Sequence, residues 1–165
     1  EPGKGARFEL KFPASDEPRA RCNSPDVSAA GAHPGTERLL VVDDSDGVRR
    51  FLGDGLKRLG YRVTLAADGE EALQWLRANG GGDLVLSDVV MPRLGGHELM
   101  ARLATEFPRI PRVLMSGYLE DHPALRETLA QGTPLVRKPL SLVEVSRVLR
   151  EALRATERPS SEVEP

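Results

Sequence analysis

Four groups of residues in this 165-residue sequence could do chemistry together. They are paired carboxylates at Asp43-Asp44, a carboxylate at Asp88, a hydroxyl at Ser116 and an ammonium at Lys138. Each follows or closes a short apolar run: Leu39–Val42, Leu84–Leu86, Val113–Met115 and Leu135-Val136. If those runs are strands of one sheet, the four groups meet at one edge. Like-charged carboxylates held close together repel. At 4 Å one such pair costs about 4 kcal/mol at an effective dielectric of about 20. The cluster therefore needs raised pKa values or a cation. All-oxygen ligands on a partly open surface favour Mg²⁺, which keeps several waters and accepts phosphate oxygens as further ligands. With Lys138 as a mobile positive charge, Ser116 as a donor and Gly117 leaving room beside it, the set forms a phosphoryl cradle in which Asp88 is the nucleophile.

The elements that must position these groups follow from hydrophobic spacing. The first strand, at 39–42, leads into a helix that Ser45 or Asp44 can cap. Val48, Phe51, Leu52, Leu56 and Leu59 give that helix its apolar stripe, and Gly60 stops it. Residues 61–67 alternate as an edge strand would, with Val63 and Leu65 against Arg62 and Thr64. Asp68-Gly69-Glu70-Glu71 opens a second helix, ended by Asn79-Gly80. The strand at 84–88, a Pro/Gly loop and a helix carrying Leu99, Met100 and Leu103 come next. A strand at 112–115, a helix at 124–130 and a strand at 135–138 follow. Ser141 and Glu144 then form a capping box for a last helix with Val145, Val148, Leu149 and Ala152. Alternating strands and helices with short loops specify an α/β domain with a parallel sheet and right-handed crossovers. The runs at 39–42, 84–87 and 112–115 read as buried on both faces, and those at 61–66 and 134–137 as edges. The expected fold is flavodoxin-like, a doubly wound (βα)5 with a five-stranded parallel sheet in the order 2-1-3-4-5. Its switch point lies between the first and third strands, where the acid pair and Asp88 sit.

Composition narrows the function classes. A net charge of −2 offers no basic footprint for nucleic acid. Cys22 is the single cysteine, so no intrachain disulfide forms and a reducing compartment is the default. No apolar run approaches membrane-spanning length and no signal-peptide pattern opens the chain. A cytoplasmic polypeptide with no membrane contact of its own is the expectation.

Asp43-Asp44, Asp88 with Met91-Pro92 and Gly96, Ser116-Gly117 and Lys138-Pro139, in that order and on those elements, resemble the receiver domain of two-component response regulators. The resemblance covers residues 37 to about 155. It implies phosphotransfer from a kinase histidine to Asp88. It further implies Mg²⁺ held by Asp44, Asp88 and the backbone carbonyl of Val90, with Asp43 acting through water. Ser116 and Lys138 would bind the phosphoryl oxygens, and the Lys138–Pro139 peptide would be cis. Two positions depart from the family pattern, because Leu135 and Leu140 stand where aromatic residues are usual. The switch positions are then Ser116, Leu135 and Tyr118, with Tyr118 a partial substitute for the missing aromatic and its plainer reading, a surface tyrosine, favoured beside it. Val90, two residues after Asp88, offers no polar group to position an attacking water, so a slowly hydrolysing phosphoaspartate is expected.

Residues 7–12 (Arg-Phe-Glu-Leu-Lys-Phe) alternate strictly and end at Pro13. With the preceding Glu1–Arg7 they resemble the last glycine box and final strand of the histidine-kinase ATP-binding domain. The expected organisation is a kinase-domain remnant at 1–13, a flexible linker at 14–36, a receiver domain at 37–157 and a disordered tail at 158–165. The parent chain would be a hybrid histidine kinase, free to be membrane-anchored. The partner would be its own dimerisation and phosphoacceptor domain, or a histidine phosphotransfer protein. No ATP binding is expected of the remnant. A dimer through a sheet edge or through the exposed 7–12 strand is a further expectation. As an enzyme the fragment would do no more than phosphorylate and dephosphorylate itself.

Plainer readings stand beside these. The acid pair could be a helix cap, but a cap uses one acid. His97-Glu98 is weighed as a phosphoacceptor histidine and read instead as an exposed helical pair, while His33 and His122 read as loop residues. Gly53 and Gly55 are tolerated accidents or let a partner helix approach. Two other functions compete: a Mg²⁺-dependent phosphatase with an aspartyl nucleophile, which Val90 disfavours because that chemistry needs an acid there, and a pseudo-receiver that only binds partners.

Overall fold

The computed structural model describes residues 31–117, 123–130 and 132–157. The expectations for residues 1–13, the tail at 158–165, Cys22, Tyr118 and His122 lie outside them. Ten elements alternate: β1 (Arg38–Val42), α1 (Asp46–Arg58), β2 (Arg62–Ala66), α2 (Gly69–Ala78), β3 (Leu84–Asp88), α3 (Gly96–Glu106), β4 (Arg112–Ser116), α4 (Pro123–Ala130), β5 (Leu135–Arg137) and α5 (Leu142–Glu157). All strand pairs are parallel, in the order β2-β1-β3-β4-β5. The expected flavodoxin-like arrangement is therefore the observed one.

The central strands carry unbroken apolar runs, Leu39–Val42, Leu84–Leu86 and Val113–Met115, because each face packs a helical layer. Strand period 2 sends Leu39, Val41, Leu84, Leu86, Val113 and Met115 to one face, under Leu52 and Leu56 of α1 and Val145 and Leu149 of α5. Leu40, Val42, Val85 and Leu114 go to the other, under Leu73 and Leu76 of α2 and Leu99 and Leu103 of α3. A fully buried leucine contributes about 2 kcal/mol relative to an exposed one, so these layers fix the sheet register and hence the positions of its polar ends.

The glycines of α1 face inward. A Cβ on Gly53 would come within 3.2 Å of Leu65 on β2, and one on Gly55 within 2.3 Å of Leu142 on α5. They are the contact points at which α1 lies down on its own domain, so neither the accident nor the partner-helix reading holds.

Residues 33–36, from a stretch whose composition reads as linker, are fastened along α5 together with Glu37. Glu37 takes two hydrogen bonds of 2.7 Å from Arg150. The Tyr61 hydroxyl donates to the His33 carbonyl at 3.0 Å and receives Arg150 Nε at 3.1 Å. The His33 amide donates to Ser146 Oγ at 3.0 Å and the Gly35 amide to the Leu59 carbonyl at 3.1 Å.

Candidate functional site

Parallel strands leave all their carboxyl ends on one side of the sheet, and the polar groups named from the sequence gather there. Asp43 follows β1 and is fully buried. Its Oδ1 accepts the Ser45 amide at 2.8 Å, and its Oδ2 accepts Lys138 Nζ at 3.0 Å. Asp44 points out and is exposed. Asp88 closes β3, where Oδ1 accepts the Val89 amide at 2.9 Å and Oδ2 accepts Lys138 Nζ at 2.8 Å. One carboxylate oxygen from each of Asp43, Asp44 and Asp88 lies within 4.8 Å of the others. The helix-cap reading of the pair fails, since the N-cap of α1 is Ser45 without a side-chain cap bond. Asp43 instead holds the turn through the Ser45 amide.

Burial raises the pKa of Asp88 above the ordinary carboxylate value; the Lys138 contact opposes that rise, and the charge on Asp43 adds to it. Burial works against the Lys138 ammonium, yet the hydrogen bonds and charges of Asp88 and Asp43 together lift its pKa above the usual lysine value. A carboxylate under this strain accepts a cation or a covalent modification more readily than a solvated one does. The set also suits a divalent hard cation. Both Asp43 oxygens are engaged by protein donors, whereas Asp44 is open to solvent and Asp88 keeps lone pairs on both oxygens.

Ser116 is buried at the end of β4, opposite Arg137 on β5, and its carbonyl accepts the Lys138 amide at 2.8 Å. The hydroxyl-bearing and ammonium-bearing residues are thus joined through the backbone. Lys138–Pro139 is cis. Val90 lies just past β3 and is 62% exposed. Leu135 opens β5 opposite Leu114 and packs on the α2–α3 layer, away from the carboxyl ends. His97 lies in the first turn of α3, half-buried rather than exposed.

The loop after β3 is anchored in ways the motif reading did not foresee. The Gly96 amide donates to the Val89 carbonyl at 3.0 Å, and a Cβ on Gly96 would fall 2.0 Å from the Asp88 carbonyl oxygen. Arg93, a non-glycine residue at φ 63°, forms an ion pair with Asp68. Asp68 is buried and caps α2 by accepting the Glu70 and Glu71 amides. Arg49 was also missed. Its Nη1 donates to the Asp43 carbonyl at 2.6 Å and its Nη2 to Asp46 Oδ1 at 2.9 Å.

Known proteins resemble this chain in sequence and in fold. The profile of the response regulator receiver domain matches residues 39–150. The sensor kinase CckA of Brucella abortus (strain 2308) is 34% identical over 160 residues, a match covering 93% of this chain and 17% of that protein. The DNA-binding transcriptional regulator NtrC of Rhizobium meliloti (strain 1021) is 31% identical over 126 residues, covering 76% of this chain and 26% of that protein. The chain thus spans a small part of the length of these relatives. Among solved structures, a signal receiver domain of an HD domain-containing protein from Pseudomonas fluorescens Pf-5 superposes with a TM-score of 0.67 at 28% identity, covering 74% of this chain and 98% of that one. A CheY-like receiver domain from Methanospirillum hungatei JF-1 gives 0.68 at 25% identity, covering 74% and 98%.

Proposed function

This chain belongs to the response regulator receiver family, the phosphoacceptor modules of two-component signalling, and we propose that Asp88 is the residue that takes the phosphoryl group. The N–P bond of a kinase phosphohistidine breaks as a bond from an Asp88 carboxylate oxygen to phosphorus forms, and the histidine nitrogen keeps the bonding electrons. Asp44, Asp88 and the Val90 carbonyl would hold Mg²⁺ directly, and Asp43 would act through water, its oxygens being committed to Ser45 and Lys138. The ion supplies charge neutralisation for the phosphoryl oxygens. Lys138 holds Asp88 in place before transfer and offers its ammonium to a phosphoryl oxygen afterwards. Ser116 supplies the hydroxyl donor at the end of the neighbouring strand, and Ser116 with Leu135 would carry the conformational response.

The observation that carries this reading is the Lys138 ammonium shared between Asp88 and Asp43 inside a three-carboxylate cluster. Incubation with Mg²⁺ and acetyl phosphate should give a stoichiometric 1:1 mass adduct that Asp88→Asn lacks. Continuous phosphate release would point to a phosphatase, and no adduct to a pseudo-receiver.

The upstream partner we propose is a histidine kinase domain, in cis within a hybrid kinase or as a separate phosphotransfer protein. The match to CckA supports this because it extends beyond the receiver into the segment before it. Residues 1–13 as the end of a kinase ATP-binding domain, and 14–36 as the linker from it, belong to the same proposal. Among the described residues no helix is long and apolar enough to cross a membrane.

A further inference from the structure

We propose that Arg49 is the positioning residue that sets the acid pair for the metal; this rests on reading the Asp43, Asp44 and Asp88 cluster as a Mg²⁺ site. The carboxylate of Asp44 has no structural partner of its own among the hydrogen bonds that define the β1–α1 turn, so its direction is set by the backbone that carries it. That backbone is held at three points. The Asp43 amide donates to the Ala66 carbonyl of β2 at 3.3 Å, and the Asp43 carboxylate accepts the Ser45 amide at 2.8 Å. The third point is the Asp43 carbonyl, on the peptide that joins the two acids, and Arg49 supplies its donor at 2.6 Å.

Arg49 suits this task through its shape and its place in α1. Its amide makes the helix's first hydrogen bond, to the Ser45 carbonyl at 3.0 Å, so the side chain springs from the helical turn that follows the acids. The guanidinium then reaches back and spans two acceptors, the Asp43 carbonyl and Asp46 Oδ1, while only 17% of the side chain is exposed. A planar fork with fixed donor directions orients what it bridges, which a lysine ammonium on a flexible stem does not. Arg50 makes the contrast clear. It pairs with the other oxygen of Asp46, but it is three-quarters exposed and touches no backbone of the acid pair.

The test exploits a conflict of signs. A cation beside a metal site repels the metal, so by charge alone Arg49→Gln should tighten Mg²⁺ binding. A positioning role makes the same substitution weaken it. Isothermal titration of the whole chain with MgCl₂ should give a dissociation constant at least threefold higher for Arg49→Gln. The half-saturating Mg²⁺ for labelling by acetyl phosphate should rise by the same factor. Arg50→Gln, which loses the same charge from the same helix, should not weaken binding. Arg49→Lys keeps the charge and the fold but can bridge only one acceptor, and should fall between wild type and Arg49→Gln. Equal or tighter binding in Arg49→Gln, or wild-type binding in Arg49→Lys should Arg49→Gln fail to fold, overturns the proposal. No Mg²⁺ binding by the wild type would overturn the metal reading itself, an outcome separate from a failure confined to the variants.

Discussion

Lys138 Nζ lies 2.8 Å from Oδ2 of Asp88, a contact across the sheet between residues 50 apart in sequence. The same nitrogen is 3.0 Å from Asp43, so one ammonium neutralises part of two carboxylates that would otherwise repel in a poorly solvated site. The arrangement is poised: the charge that stabilises the unmodified site is the charge a phosphoryl group would claim.

Removing that ammonium should be costly without Mg²⁺. Lys138→Met leaves buried Asp43 and largely buried Asp88 without a cation, and a charged group stripped of its partner costs about 3 kcal/mol. Urea unfolding in EDTA should show a loss of that order. Added Mg²⁺ should recover part of it, because the ion binds the folded state and supplies positive charge to the same acids.

The raised pKa of Asp88 has a definite sign in the stability profile. Burial is the leading cause, and it lifts the folded-state pKa above the unfolded one. Between those two pKa values the folded chain therefore binds more protons than the unfolded chain. Stability from this group is then greatest below the unfolded pKa and falls as pH rises through the folded one. Asp88→Asn removes the ionisation. In EDTA its melting temperature should match the wild type in acid and exceed it increasingly through and above the carboxylate range. A difference that shrinks as pH rises would refute the assignment.

Gly96 should tolerate no side chain. A Cβ there would sit 2.0 Å from the Asp88 carbonyl oxygen, and both partners are backbone held by β3 and α3. Gly96→Ala should cost at least about 3 kcal/mol, the upper part of the range for overpacking. Gly55→Ala meets the flexible end of Leu142 instead and should cost less. The order of the two urea midpoints checks the argument.

Arg150→Ala should release the segment before β1. It removes the paired hydrogen bonds to Glu37 and the contact with the Tyr61 hydroxyl, with both ionic side chains under a quarter exposed. The expected loss is about 2 kcal/mol. Hydrogen exchange at the amides of His33 and Gly35 should accelerate more than exchange in β3. Uniform acceleration, or none, would show that the clamp does not hold the segment locally.

How much of this was legible in the sequence depends on range. Central parallel strands announce themselves because both faces are buried, so Leu39–Val42 and Leu84–Leu86 read as strands and the carboxyl-end rule then brought Asp43, Asp88 and Lys138 together. Arg49 was invisible because an arginine on the polar side of an amphipathic helix looks like any solvated one. The inward direction of Gly53 and Gly55 depends on Leu65 and Leu142 arriving from other elements. Residues 33–36 read as linker from their composition, since the side chains that hold His33, those of Tyr61 and Ser146, arrive from 28 and 113 residues further along. Leu135 fell in the α2–α3 layer because the β4–β5 register sets it opposite Leu114, two residues before Ser116.

Val90 sets the last expectation, the lifetime of the phosphorylated state. It sits two residues past Asp88, 62% exposed, where a side chain could reach a water approaching the phosphoryl group. Its isopropyl group can neither donate to that water nor accept from it, so attack relies on whatever orientation solvent supplies. Hydrolysis of the acyl phosphate should then be slow, with a lifetime well beyond seconds after the phosphodonor is removed. Val90→Glu, which introduces an acceptor at that place, should shorten it by at least about tenfold, less than the roughly 10²–10⁴-fold that a fully positioned acid–base group contributes. Both lifetimes can be read by intact mass after desalting. A wild-type lifetime of seconds, or no change in Val90→Glu, would show that another group orients the water.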